Sequence, residues 1–137
     1  MRERTIDPRR FRSYELPGGW TVVVGRTDRD NDELSVRFRS PKDYWFHVAG
    51  MPGSHVLLLH DPDREPDAET LKCAASIAAW HSRARNARRA RVHVTLAANV
   101  RKIRGSPAGE VTIRRERGLD VVPGLPDGTD RDEAEPA

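Results

Sequence analysis

Two runs of strand-forming residues on either side of a glycine- and proline-containing turn constrain the fold of this chain most. Residues 42–48 read KDYWFHV, residues 54–60 read SHVLLLH, and residues 49–53 between them hold two glycines and one proline. β-branched and aromatic residues favour strands, whereas glycine and proline favour turns. The segment therefore predicts a β-hairpin in which residues equidistant from Met51 pair with each other.

The two faces of this hairpin differ, because neighbouring side chains of a strand point to opposite sides of the sheet. One face is apolar apart from a phenol and is predicted to be core; it carries Tyr44, Phe46, Val48, Val56 and Leu58. The other face is predicted to present the polar groups; it carries Asp43, Trp45, His47, His55, Leu57 and Leu59. Cross-strand pairing would place the Cβ atoms of His47 and His55 about 5 Å apart.

The rest of the chain supplies further strands and two helices. Pro17-Gly18-Gly19 predicts a hairpin turn, because glycine adopts the positive φ that such a reversal needs. Small and apolar residues at helical spacing predict one long helix over residues 70–85. The remaining predicted elements are a first hairpin (11–16 and 20–24), a short helix from Asn31 or Asp32 to Phe38, a strand over 90–96, a basic strand or loop over 99–105, and a last hairpin (110–115 and 118–122).

These elements predict a single α+β domain, with a mostly antiparallel sheet, one long helix and one short helix. A length of 137 residues fits one modest core. Residues 1–10 are predicted to be a flexible N-terminal arm and residues 11–122 the folded domain. Residues 123–137 carry five acidic residues and little apolar content, so we expect a disordered acidic tail.

Positive charge is concentrated in one part of the chain. The whole chain has 24 Lys and Arg against 21 Asp and Glu, but residues 83–117 alone contain eleven Lys and Arg against two Glu. A basic stretch of this kind can neutralise the phosphates of a nucleic acid. The alternative interpretation is a solvated basic face without a ligand, enriched in arginine by the base composition of the genome.

The same sequence argues against several other classes of protein. Its apolar runs are too short to cross a bilayer, and its first residues do not resemble a secretory signal. A single cysteine, Cys73, excludes an internal disulfide and a cysteine-based zinc site. We therefore expect a cytoplasmic protein without a membrane segment.

His47, His55 and Ser54 admit more than one chemical interpretation. A zinc site needs at least three ligands, and Asp43 lies roughly 13 Å from His47 along an extended strand, which is too far. An RNA-directed hydrolase would use Ser54 with His55 or His47, but a third member and an oxyanion hole are not apparent. Two other interpretations are a structural role for the histidines and stacking of the histidines on unpaired bases together with Trp45. A protein-docking module that uses the apolar strands is a further alternative.

A set of short motifs, in order along the chain, resembles the NFACT-R domain. This domain is the RNA-binding module at the carboxyl end of NEMF/RqcH-type ribosome quality-control factors. The likeness covers about residues 20–115. The matching motifs are Val24-Gly25-Arg26, Asn31-Asp32-Glu33-Leu34-Ser35, Asp43-Tyr44-Trp45-Phe46-His47, Pro52-Gly53-Ser54-His55-Val56, Thr70-Leu71, His81-Ser82-Arg83-Ala84-Arg85, Val92-His93-Val94-Thr95, Asn99-Val100-Arg101-Lys102 and residues 105–109.

The resemblance implies an RNA-binding protein rather than an enzyme, without a cofactor or a metal. Its implied ligand is tRNA or rRNA, and the large ribosomal subunit is an implied partner. The implied RNA contacts are Arg26, Trp45, His47, Ser54, His55, Ser82, Arg85, Arg101 and Lys102. Thr27 and His81 depart from the residues that the family often has there, Asn and Tyr. The chain is expected to be a stand-alone NFACT-R protein, which does not synthesise C-terminal tails by itself.

Overall fold

A six-stranded antiparallel sheet forms the centre of the domain. The structure is a computed structural model that describes residues 4–127 and residue 129. The strands of the sheet are β1 (Phe11–Leu16), β2 (Trp20–Gly25), β3 (Tyr44–Val48), β4 (Val56–Leu58), β5 (Ala90–Leu96) and β8 (Arg117–Val121). Their order across the sheet is β1-β2-β4-β3-β5-β8, and every neighbouring pair is antiparallel. Two short strands, β6 (Val100–Arg101) and β7 (Thr112–Ile113), pair separately.

The two hairpins predicted in the first half of the chain are confirmed. β1 and β2 pair from Phe11 opposite Gly25 to Leu16 opposite Trp20, around the Pro-Gly-Gly turn. In the central hairpin Phe46 lies opposite Val56, which is the register centred on Met51. The α+β class is confirmed as well. No helix in the described part of the chain has the length and apolarity that a membrane span requires.

The long helix α2 (Ala68–Trp80) covers the predicted core face of the sheet. Its first turn is capped by Asp67, whose carboxylate accepts from the backbone N–H of Thr70 at 2.9 Å. Buried alanines of α2 allow the helix to pack closely on the valines of β2 and β5. The helix ends at Trp80, before the predicted Arg85, and a 3₁₀ turn over Arg83–Asn86 follows it.

The opposite face of the sheet is a second core, contrary to the sequence prediction. Trp45 and Leu57 from this face are buried with Val23 and with residues outside the sheet, namely Leu34, Ala97 and Val100. The alternation of side chains along β3 and β4 is as predicted. The local pattern, however, does not show that a second layer of chain covers the face expected to be polar.

That second layer begins with a short helix that starts earlier than predicted. Helix α1 (Asp28–Asp32) is capped by Thr27, whose hydroxyl accepts from the backbone N–H of Asp30 at 3.1 Å. The chain then continues as a π-helical segment over Glu33–Phe38. Asn31 therefore lies inside the helix rather than at its cap.

The predicted last hairpin is wrong, although both of its strands exist. β7 pairs with β6, and β8 pairs with β5 at the edge of the main sheet. The intervening Arg115 has a φ of 55°, in the left-handed region. The chain therefore passes from the small pair of strands to the main sheet instead of folding back on itself.

The described parts of both predicted termini contact the domain. Arg4 forms a bidentate ion pair with the buried carboxylate of Asp43, at 2.6 and 3.0 Å, and Ile6 packs on the second core. Near the other end, the backbone N–H of Gly124 donates to the carbonyl of Ser76 in α2, and Leu125 packs on the first core. Residue 128 and residues 130–137, most of the predicted acidic tail, lie outside the described residues.

Candidate nucleic-acid interface

A groove rich in arginine opens at one end of the sheet. It lies where β2 ends, where the segment before β4 begins, and where α2 gives way to its 3₁₀ turn, and its volume is about 510 Å³. Among the described residues, four arginines and one acid, Asp28, line it, so its electrostatic character is positive. We call this feature the arginine groove, and it is lined by Arg12, Gly25, Arg26, Thr27, Asp28, Asn31, Pro52, Gly53, Ser54, Trp80, His81, Ser82, Arg83, Arg85 and Asn86.

The arginine groove brings together four of the nine residues that the sequence proposed as RNA contacts. Arg26 comes from the end of β2, Ser54 from the segment before β4, and Ser82 and Arg85 from the turn after α2. These residues are distant in sequence, so only the antiparallel order of the strands places them at one site. Their role in RNA binding stays a prediction.

Local hydrogen bonds fix the two loops that form the groove. The Ser82 hydroxyl donates to the carbonyl of Ala79 at 2.7 Å and accepts from the N–H of Ala84 at 3.0 Å. The backbone N–H of Ser54 donates to the carbonyl of His81 at 3.1 Å. The end of α2 and the segment before β4 are thus tied to each other, and Ser82 acts as the cap of the 3₁₀ turn.

The guanidinium of Arg85 lies over an aromatic ring in the groove. Its guanidinium carbon lies 4.2 Å from the centre of the Trp80 ring, and its Nε donates to the Trp80 carbonyl at 3.0 Å. Stacking on one side and a hydrogen bond at Nε restrict the guanidinium to one orientation. The planar cation is therefore preorganised before any ligand arrives.

The pKa of His81 reflects the positive electrostatic potential of the groove. Burial and the nearby charges of Arg12, Arg85 and Arg26 lower the pKa of His81 to about 4. The ring hydrogen-bonds through Nε2 to the phenol of Tyr14 at 2.7 Å. At neutral pH the imidazole is uncharged, so guanidinium groups supply the positive charge of the groove.

His55 lies outside the groove, in a buried hydrogen-bonded network. Its Nε2 is 3.0 Å from the Gly109 carbonyl, which only accepts, so Nε2 carries the ring proton. Nδ1 then accepts from the Ser35 hydroxyl at 2.7 Å, and that hydroxyl oxygen accepts from Trp45 Nε1 at 2.8 Å. Burial, followed by the neighbouring His47, lowers the pKa of His55 to about 4, which keeps this neutral tautomer in place.

The burial of Trp45 and His55 corrects the expectation that they stack on bases. Each side chain is only 2% exposed, so neither offers a face to a nucleotide. Both ring nitrogens of His55 are engaged by Ser35 and Gly109, so His55 does not activate Ser54 as one form of the hydrolase interpretation requires. The apolar strands that a docking module would present are covered on both faces.

His47 is partly exposed beside this network. Its ring stacks on Trp45 with 5.9 Å between centroids and meets the edge of His55 at 5.5 Å, as the hairpin register predicts. Burial lowers its pKa. In the described part of the chain no cluster of three His, Cys, Asp or Glu side chains has the geometry of a metal site.

Arg101 and Lys102 lie away from the arginine groove. Arg101 is exposed and lines a second, smaller hollow of about 450 Å³. The Lys102 ammonium donates to the carbonyls of Pro107 and Glu110 and forms an ion pair with Asp32 at 3.1 Å. Three acceptors match the three N–H bonds of an ammonium, so Lys102 fastens the loop over residues 105–110 rather than facing a ligand.

Sequence reasoning missed several residues of the groove. Trp80 has apolar neighbours in the predicted long helix, a setting that predicts a core residue, yet it is partly exposed and supports Arg85. Arg12 lies in a strand far from the basic stretch, and Arg83 belongs to the basic stretch and to a matching motif but not to the implied RNA contacts. The basic residues that follow α2 gave a usable signal for Arg83. Nothing local in the sequence connects Arg12 to the same site.

Comparisons with known proteins agree on one family. Residues 10–115 match the family described as the NFACT protein RNA binding domain. The chain is 35% identical over 111 residues to the Rqc2 homolog RqcH of Bacillus subtilis (strain 168), a match that covers 81% of this chain and 19% of that protein. It is 32% identical over 123 residues to the Rqc2 homolog RqcH of Streptococcus suis (strain 05ZYH33), covering 89% of this chain and 22% of that protein.

A solved structure shows the same fold. The C-terminal of the fibronectin/fibrinogen-binding protein from Streptococcus suis aligns with a TM-score of 0.80 and 29% identity, over 97% of this chain and 51% of that chain. The chain spans about a fifth of the length of the two RqcH proteins that it matches. The similarity therefore concerns one part of those proteins.

Proposed function

Because the chain belongs to the NFACT-R family of RNA-binding domains, we propose that it binds RNA through the arginine groove. The observation that carries this proposal is the convergence, among the described residues, of four arginines against one acid in a groove built from four separate parts of the chain. Guanidinium groups pair well with phosphate oxygens because they present several N–H donors in one plane. The proposed ligand is tRNA or rRNA, and the proposed setting is ribosome-associated quality control, as the family resemblance implies.

The groove can be tested by removing charge without disturbing the core. Arg83 is exposed, and Arg26 is partly exposed at the end of β2, with its Nε bonded to the Pro8 carbonyl. We expect the double variant Arg26→Gln/Arg83→Gln to weaken binding of a labelled tRNA in fluorescence anisotropy titrations. We also expect the slope of log K against log salt to become shallower by about 1.4 to 1.8, because each lost phosphate contact contributes roughly 0.7 to 0.9.

A control variant with the same change in net charge separates a local effect from a general one. Arg37 is 79% exposed in its side chain, and Arg101 is exposed near the second hollow. We expect Arg37→Gln/Arg101→Gln to keep the salt slope of the natural chain. If the control flattened the slope and the groove variant did not, the interface would lie at Arg101 and the groove proposal would be rejected. Sequencing of RNA that co-purifies with the protein would identify the ligand.

A further inference from the structure

We propose that the arginine groove holds an unpaired nucleotide, with its base stacked on the guanidinium of Arg85 and its phosphate beside Arg26 and Arg83. This inference rests on the proposed RNA-binding function. It names the form of RNA that the site accepts, which is a single-stranded segment rather than a duplex.

The first step of the argument is the platform formed by Trp80 and Arg85. The guanidinium carbon lies over the indole, 4.2 Å from the ring centre, and Nε donates to the Trp80 carbonyl. Flat guanidinium and aromatic groups are surfaces on which unpaired bases stack. A base that stacks on the outer face of Arg85 extends an existing two-layer stack, so no side chain needs to be ordered first.

The second step is the shape of the site. A volume of about 510 Å³ falls within the range of roughly 300–1,000 Å³ that is usual for pockets of small organic ligands. The bases of a duplex are stacked inside the helix, and proteins recognise duplex RNA mainly by contacts across its shallow minor groove. A concave site with a stacking platform on its wall therefore suits a base that protrudes from a loop, a bulge or a strand end.

The third step is the placement of charge around the platform. Arg12, Arg26 and Arg85 lie close enough to His81 to influence its ring, and Arg83 is exposed at the same groove. A nucleotide whose base covers Arg85 would bring its phosphate among the neighbouring guanidinium groups. Stacking and phosphate neutralisation can thus act on one nucleotide at the same time.

The test compares one RNA strand in two forms. A labelled strand of about ten nucleotides without self-complementarity, a length typical of single-strand sites, is titrated alone and as a blunt duplex with its complement. We expect the single strand to bind at least about tenfold more tightly, which is the lower part of the range for one base–aromatic stack. Equal affinity, or tighter binding of the duplex, would overturn the inference.

A conservative variant isolates stacking from charge. Arg85→Lys keeps the positive charge and removes the planar platform, and we expect it to lose about tenfold in affinity for the single strand with an unchanged salt slope. Arg37→Lys, at an exposed arginine outside the arginine groove, is the matched control and should bind like the natural chain. If Arg85→Lys binds the single strand normally, the base does not stack there. Thermal melting of both variants verifies that each is folded.

A photocrosslinking experiment on the unaltered protein tests the same inference. The strand is synthesised with 5-iodouridine in place of uridine, irradiated in complex, and digested, and the crosslinked peptide is identified by mass spectrometry. We expect the crosslink within residues 80–86; a crosslink confined to other segments would reject the inference.

If Arg26→Gln/Arg83→Gln leaves RNA binding intact, the proposed function itself fails. If that variant weakens both forms equally while Arg85→Lys is silent, only this inference fails.

Discussion

Mild acid should destabilise this domain through His55, which is buried, and His81, which is partly buried. The pKa of His55 and that of His81 are both lowered to about 4, from an ordinary value of 6.5, and burial is the largest cause for each. In the unfolded chain each imidazole takes up a proton as the pH falls through 6.5. The folded protein takes up that proton only near the lowered pKa, so stability is lost as the pH falls between these two values.

The size of the effect follows from proton linkage. As the pH falls from 6.5 towards the lowered pKa, each histidine lowers the free energy of unfolding by about 1.36 kcal/mol per pH unit. At pH 5 each has therefore lowered it by about 2 kcal/mol. The two together give about 4 kcal/mol, a large share of the 5–15 kcal/mol that is typical of folded proteins. His47, whose pKa is also lowered by burial, acts in the same direction. The lowered pKa values of Asp7, Asp61 and Asp67 matter only below their ordinary value of 3.8.

Urea unfolding followed by tryptophan fluorescence at pH 7 and pH 5 measures this loss. The variant His81→Gln, which removes one of the two titrating rings, should lose only about 2 kcal/mol over the same pH interval. Equal free energies of unfolding at the two pH values would refute the assignment of neutral buried imidazoles. A full loss of about 4 kcal/mol in His81→Gln would show that other groups are responsible.

Two further perturbations test contacts that hold the framework around the site. Arg4→Ala should lower the free energy of unfolding by about 3 kcal/mol, because it leaves the fully buried carboxylate of Asp43 without its cation. Urea denaturation measures this loss, and a loss below about 1 kcal/mol would contradict the prediction. Gly25→Ala should cost about 2 kcal/mol, because its Cβ would lie 2.1 Å from the Asn31 amide oxygen, which accepts from the His55 N–H. Gly124→Ala, where the nearest atom is 4.0 Å away, is the control and should change the melting temperature little.

The sequence predicted those parts of the fold that depend on local patterns. Alternation and turn residues defined the first two hairpins, and the register around Met51 followed from the position of a single turn. The pairing of β8 with β5 depends on which strand lies at the sheet edge, and no local pattern determines that. The start of α1 was misplaced because Thr27, Asn31 and Asp32 are all acceptable capping residues.

The candidate site was predicted in part, for a related physical reason. Residue type indicates what a side chain can bind, but only the packed structure determines whether it is accessible. Trp45 and His55 have the chemistry of base-stacking groups, and they are buried because the π-helical segment over Glu33–Phe38 and the loop over residues 105–110 cover their face of the sheet. Arg26 and Arg85, which the family resemblance implies as RNA contacts, are partly exposed and line the arginine groove.

The motifs that carry the family resemblance therefore have two physical roles. Asn31, Asp32, His55, Lys102 and Gly109 form one internal clamp: Asn31 accepts from the His55 N–H, Asp32 accepts from the Gly109 N–H, and Lys102 pairs with Asp32. Gly109 also approaches the carboxylate of Asp28 so closely that an added Cβ would lie 2.9 Å from it. Because Asp28 is part of the groove wall, the clamp fixes one side of the proposed binding site. Changes in the clamp should therefore reduce RNA binding together with stability, whereas changes at exposed Arg83 should reduce RNA binding alone.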